Sequence, residues 1–216
     1  MFRPIFLSFT VLVLAAACGD KAFSPGPSAE TPSAETPGAK TPGAAAGSAG
    51  AEEVAENKNI SQELLDKLKA TKDEAEAAML EEEIWDAWLV SGSATVDTLM
   101  QRGLEYQENE DLAGARDAFD KAIAILPEYA EAWNRRAVLF FNDGKYDEAI
   151  ADLESAITYE PRHFGAWIGM AMLFESVDRP EAALKAYDKA LEIHPLAQAA
   201  VQGKRRLDRV VNGRPL

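Results

Sequence analysis

Cysteine, histidine and positive charge are all scarce in this chain, and each scarcity closes off a class of function. A single cysteine, Cys18, stands among 216 residues, so no intrachain disulfide can form and the fold must rest on packing. The two histidines, His163 and His194, belong to no cysteine or histidine cluster that could converge on a metal. Lysine and arginine total 22 against 36 aspartates and glutamates, a formal charge of −14. That balance argues against a surface for nucleic-acid phosphates or anionic lipid. No phosphate-cradling glycine loop is present, nor a nucleophile beside a base, and the run Glu81-Glu82-Glu83 reads as solvated helix surface. We therefore expect no catalytic residue, no metal site and no cofactor: the chain does not read as an enzyme. Long apolar runs are missing as well. The longest, Ile5 to Ala17, would make a helix of about 20 Å, short of the roughly 30 Å hydrocarbon core of a membrane.

What that run does fit is an address. Arg3, the apolar stretch and the small residues after it have the pattern of a secretory signal over residues 1–17. Leu14-Ala15-Ala16-Ala17-Cys18 resembles the lipobox of bacterial lipoproteins, although Ala15 stands where leucine is more usual. The resemblance implies cleavage before Cys18, acylation of that cysteine and a lipid anchor; Gly19 after it leans towards the outer membrane. Without acylation the chain is expected as a secreted periplasmic protein. Residues 18–58 are then a tether of Pro, Ala, Gly, Ser, Thr and Glu. Ser28-Ala29-Glu30-Thr31-Pro32 is repeated at once as Ser33-Ala34-Glu35-Thr36-Pro37. Such a composition buries too little to offset its ordering entropy, and about 40 residues of it span roughly 35 Å.

Beyond the tether the sequence becomes periodic. Pro127, Pro161 and Pro195 recur at intervals of 34 residues, and aligning on them brings six further sets into register. These are Leu99, Trp133 and Trp167; Gly103, Ala137 and Ala171; Tyr106, Phe140 and Phe174; Ala115, Ala149 and Ala183; Phe119, Leu153 and Tyr187; and Ala122, Ala156 and Ala190. Within each unit the apolar residues fall at helical spacing, in two helices separated by turn signals at Asn109-Glu110-Asp111, Asp143-Gly144 and Asp178-Arg179-Pro180. The small residues allow two helices to cross closely, and the aromatics fill the space that remains. Each proline closes its unit where no helical hydrogen bond is lost.

This ladder of small and large residues, over Val96 to Pro195, resembles the tetratricopeptide-repeat (TPR) family. The resemblance implies an all-α fold: a right-handed superhelical α-solenoid of three hairpins (96–129, 130–163, 164–197). It also implies that the first helix of each hairpin lines a concave face where a protein or peptide lies. Projected onto this chain, that groove comprises Met100, Gln101 and Leu104, then Asn134, Arg135, Val138, Phe141 and Asn142, then Ile168, Met172 and Glu175. Its apolar balance and two methionines suit an amphipathic helix or apolar peptide. Family members that grip the acidic C-terminus of heat-shock chaperones use paired cationic and amide side chains. Here those places hold Met100, Leu104, Gly165 and Gly169, with only Arg135 charged, so that clamp is missing. Arg102 and Arg136 stand where leucine is usual, with stems expected over the hairpin or heads in the groove.

Both ends of the array need cover. Residues 196–212 read as a capping helix with Ala200, Val201, Leu207 and Val211 apolar and Lys204, Arg205, Arg206 and Arg209 exposed, before a short tail at 213–216. Residues 59–92 read as two helices, about Ser61 to Ala70 and Lys72 to Leu89, with Trp85 and Trp88 expected to cap the first repeat. Alternatively this segment occupies the groove as a built-in ligand, or pairs with a second copy of the chain. His163 beside Arg162 is the constellation to watch between units, with helix capping or packing as its expected role. The chain thus reads as a non-catalytic scaffold tethered in the bacterial envelope and facing the periplasm. The alternative is a self-associating structural module whose groove is already covered.

Overall fold

The computed structural model describes residues 61–213. The signal, Cys18, the whole of the tether, residues 59–60 and residues 214–216 lie outside the described residues. Among the described residues all regular structure is helical, in nine helices. Helix α1 covers 61–70 and α2 covers Glu74–Trp88. Three antiparallel hairpins follow: α3 (Ala94–Glu108) with α4 (Leu112–Ile125), α5 (Ala130–Asn142) with α6 (Tyr146–Tyr159), and α7 (Phe164–Ser176) with α8 (Pro180–Ile193). Helix α9 (Gln198–Asn212) closes the array.

The 34-residue ladder is the interior. Ala115, Ala149 and Ala183 are fully buried, as are Ala122, Ala156 and Ala190, and the Phe119, Leu153 and Tyr187 side chains lie beside them. At Gly103 the two helices of the first hairpin come so close that a Cβ would collide with the Phe119 ring. Ala137 and Ala171 hold the matching places, both buried. Trp133 and Trp167 add a polar tie: each indole Nε1 donates to the carbonyl of the proline that closes the preceding unit, Pro127 at 2.7 Å and Pro161 at 3.0 Å.

The turns inside the hairpins repeat as faithfully. Glu110, Gly144 and Asp178, 34 residues apart, all have positive φ, at 60°, 72° and 55°. In each, the following N–H reaches back to close the helix: Asp111 to the Tyr106 carbonyl (2.8 Å), Lys145 to Phe140 (2.9 Å) and Arg179 to Phe174 (2.8 Å). This is the Schellman closure, which satisfies carbonyls that the helix end leaves free. A conformation that favours glycine is therefore held by glycine in only one of three repeats.

Helix α9 covers the last hairpin. It buries Ala200 and Leu207, and Gly203 meets the Tyr187 ring too closely for any side chain. Arg206 makes paired bonds to Glu175 (2.6 and 2.9 Å), and Lys204 pairs with Asp188. At the other end, the outer side of α3 is open: Ala94, Thr95, Thr98, Leu99 and Arg102 line a hollow. Tyr106 and Leu112 nearby are exposed.

The helix pair α1–α2 does not cap that open end. Its partners lie instead on the second and third hairpins and on the loops between units. The reason is visible in the two tryptophans, whose seats are Gly165, His163 and Phe164, at the start of α7, rather than Leu99.

Candidate functional site

The face built by α3, α5 and α7 has a buried polar centre. Glu131, in the first turn of α5, is only 1% exposed. It pairs with Arg135 one turn later, accepts from Asn134 Nδ2 at 3.1 Å, and lies 2.9 Å from His163 Nε2. His163 caps α7: its Nδ1 accepts the Ala166 N–H at 3.0 Å. That bond leaves the ring proton on Nε2, where it is donated to Glu131. Burial on its own would raise the Glu131 pKa, but the Arg135 charge and the His163 hydrogen bond outweigh it and hold the carboxyl below its usual range. Tyr129, just before α5, donates its hydroxyl to the Trp88 carbonyl at 2.8 Å. Burial, reinforced by the charges of Glu131 and Asp97, keeps that phenol protonated well past its ordinary range.

Helix α2 lies over this centre. The Trp88 ring stacks on His163, with centroids 4.1 Å apart and planes at 16°. Trp85 meets Phe164 edge-on at 5.4 Å and sits under the Arg135 guanidinium, 5.6 Å away. At its edges the pair is tied by polar contacts. Arg162 bridges to Asp66 (2.8 Å) and donates to the Gln62 side chain (2.9 Å), while His194 Nε2 lies 3.3 Å from Glu81. Both histidines of the chain therefore lie against α2.

The residues projected into the groove fall into distinct settings. Met100 is fully buried in the first hairpin, and Asn134 is buried in the Glu131 centre. Arg135 and Ile168 are part-buried and contact α2 or its apolar cluster. Leu104, Val138, Phe141 and Met172 are half-buried, further along their helices, with Phe141 resting on Tyr146 at 5.8 Å. Gln101, which donates to Glu105, and Asn142 are exposed. Glu175 is taken by Arg206 and by the Tyr187 hydroxyl (2.6 Å). Arg136 points elsewhere. It bridges Asp120 of α4 (2.6 Å) and Asp152 of α6 (2.7 Å), its guanidinium 5.0 Å from the Trp133 ring. An arginine in place of leucine is thus an inter-repeat tie. Arg102, with no preceding unit beside it, is exposed.

Sequence reasoning passed over Tyr129 and Glu131. The available signal was the pair Glu131 and Arg135, one helical turn apart on a face otherwise short of charge. Among the described residues no group of three or more histidines and carboxylates is placed to hold a metal ion, and no helix is long and apolar enough to cross a membrane.

Family models for the tetratricopeptide repeat match residues 100–157 and 140–207. A TPR repeat-containing protein of Rhizobium etli is 40% identical over 138 residues, 64% of this chain and 68% of that protein. The chain belongs to the TPR family. Other TPR proteins are matched over a smaller part of their length. This chain spans 29% of the small glutamine-rich tetratricopeptide repeat-containing protein 2 of Saccharomyces cerevisiae, at 32% identity over 46% of this chain. Among solved structures, the TPR2B domain of yeast Sti1, in a complex with pHsp70, superposes with a TM-score of 0.51 at 26% identity. That match covers 55% of this chain and 99% of that domain.

Proposed function

We propose that this TPR protein is a non-catalytic adaptor, held at a membrane of the bacterial envelope through lipid on Cys18, that recruits a partner protein through its concave face. The observation that carries the reading is the half-buried apolar strip of Leu104, Val138, Phe141 and Met172 on the first helices of the three hairpins. It lies beyond the seats of Trp85 and Trp88. A peptide or helix laid on this strip would gain apolar burial without any rearrangement of the hairpins. The Sti1 domain with its pHsp70 complex supports peptide capture by such a fold. The acidic C-terminus of a chaperone is not the expected ligand here. Met100, Leu104, Gly165 and Gly169 stand where a cationic clamp would be, and the remaining cation, Arg135, is engaged by Glu131.

A photo-crosslinker at Val138 should capture one envelope protein, and adding Phe141→Glu should abolish capture. Capture that persists in the Glu variant would rule out the strip as the site. Membrane attachment is tested separately: Cys18→Ser should remove acyl labelling and release the protein into the soluble fraction. An unchanged membrane fraction would overturn the anchor.

A further inference from the structure

The place where α2 rests has the chemistry of a ligand site held by the chain's own helix. Gly165 is a position on the inner face of α7, and a Cβ there would come 2.5 Å from Trp85 Cη2. The absent side chain is what admits the indole. Beside it, His163 provides the flat surface on which Trp88 stacks. Around the two indoles the array offers partners for carboxylates: Arg135 over Trp85, His194 Nε2 opposite Glu81 and Arg162 opposite Asp66. The helix that answers them carries Glu74, Glu76, Glu81, Glu82, Glu83 and Asp86 and no basic residue.

The pair also has an apolar cluster largely its own. Leu64, Leu65, Leu68, Ala77, Leu80 and Ile84 form an apolar cluster distinct from those of the hairpins. That cluster meets the array through Phe164, Ile168, Ile193 and Leu196. The link from Leu89 to Ser93 contains Gly92 at φ 77°. The fit is incomplete as well: Trp88 Nε1 and His194 Nδ1 are buried in the contact with no protein partner. Where it rests, Trp88 thus keeps an indole N–H unpaired, a cost that a different helix in the seat need not bear.

We propose that this seat is a second site for the partner, besides the apolar strip, and that α2 occupies it as an intramolecular competitor. The partner is then an amphipathic helix with two bulky aromatics three residues apart on its apolar side, as Trp85 and Trp88 are, flanked by carboxylates. This rests on the adaptor reading and names its ligand class. Binding requires α2 to leave, so affinity in the intact chain is reduced by the fraction of time the seat is free.

The test uses the full chain and a fluorescent peptide of residues 61–93 as probe. Anisotropy should show the peptide binding the Trp85→Ala/Trp88→Ala chain at least tenfold more tightly than the unaltered chain. Adding Gly165→Leu should reverse that gain, and a peptide lacking both indoles should bind neither chain. Equal binding to the unaltered and double-variant chains would overturn the proposal, as would no binding to a double variant that keeps its helical circular dichroism. Should the double variant lose its helix, hydrogen exchange on the unaltered chain decides. Amides of 74–88 are expected to exchange at least tenfold faster than the slowest amides of α6, through opening of α2 alone. Exchange of both segments at one global rate would overturn the proposal. Should these results fail while the crosslinker at Val138 still captures a partner, the adaptor reading stands and the competitor falls.

Discussion

The repeat array and the helix pair lying on it are held by different means. In the array one small-on-large contact recurs every 34 residues, so each hairpin is backed by a copy of the same packing on the next. The pair has no such copies. It makes its own apolar cluster and then depends on two indoles set against His163, whose ring is held by one buried carboxylate. The array is thus tolerant and distributed, whereas the seam is local and specific. Variants should separate the two.

The largest effect is expected where both regions meet. Glu131→Leu leaves Arg135 and His163 without their buried acceptor and should cost about 3–5 kcal/mol in urea unfolding, the usual outcome of breaking a buried charge pair from one side. The milder Glu131→Gln gives the pH signature. The native carboxyl has its pKa held below the unfolded value, so its contribution is complete above about pH 5 and fades as the pH falls from there towards the lowered folded-state value. The stability gap between the unaltered chain and Glu131→Gln should close over that interval. A gap that stays constant down to pH 3 would contradict the ionised pair.

Next come the glycines, which sharpen the contrast directly. Gly103→Leu drives a side chain into Phe119 inside a hairpin and should lower global stability by about 1–3 kcal/mol. Gly165→Leu drives one into Trp85 across the seam. It should leave the unfolding free energy of the array within about 0.5 kcal/mol, the usual range for changes away from the core, while trypsin cuts more readily at Lys67 and Lys72. A global loss from Gly165→Leu as large as that from Gly103→Leu would mean that the pair is part of the array's core.

The same contrast explains what could be read from the residues alone. The hairpins, their turns and the closing helix were legible because each rests on a periodic pattern: identical contacts must place identical residue types at identical spacing. The seat of α2 was not, because each of its parts is a single departure. Glu131 looks like any first-turn acid and His163 like a loop residue. Gly165 looks like a missing clamp residue rather than a space for an indole. Trp85 and Trp88 were expected to pack, but the hairpin that would receive them depends on where those unrepeated residues lie. Arg136 sits between these cases. Its departure from leucine was visible, but its two aspartate partners come from adjacent hairpins and appear only once the helices are stacked.

The smallest effect concerns the turns, where the repeats agree in shape but not in residue. Glu110 and Asp178 adopt the left-handed conformation that Gly144 adopts freely, and all three make the same closing hydrogen bond. A side chain in that region costs about 1–2 kcal/mol against the following carbonyl, offset in part by the greater freedom that glycine loses on folding. Glu110→Gly and Asp178→Gly should therefore each stabilise the chain by about 0.5–1 kcal/mol, whereas Gly144→Ala should destabilise it by a similar amount. The gain should appear as a later midpoint with an unchanged slope in urea, and it should be additive, since the two turns belong to separate hairpins. If either glycine variant is less stable than the parent, that side chain supplies a compensating interaction in the turn, and the equivalence of the three turns would extend to backbone geometry only.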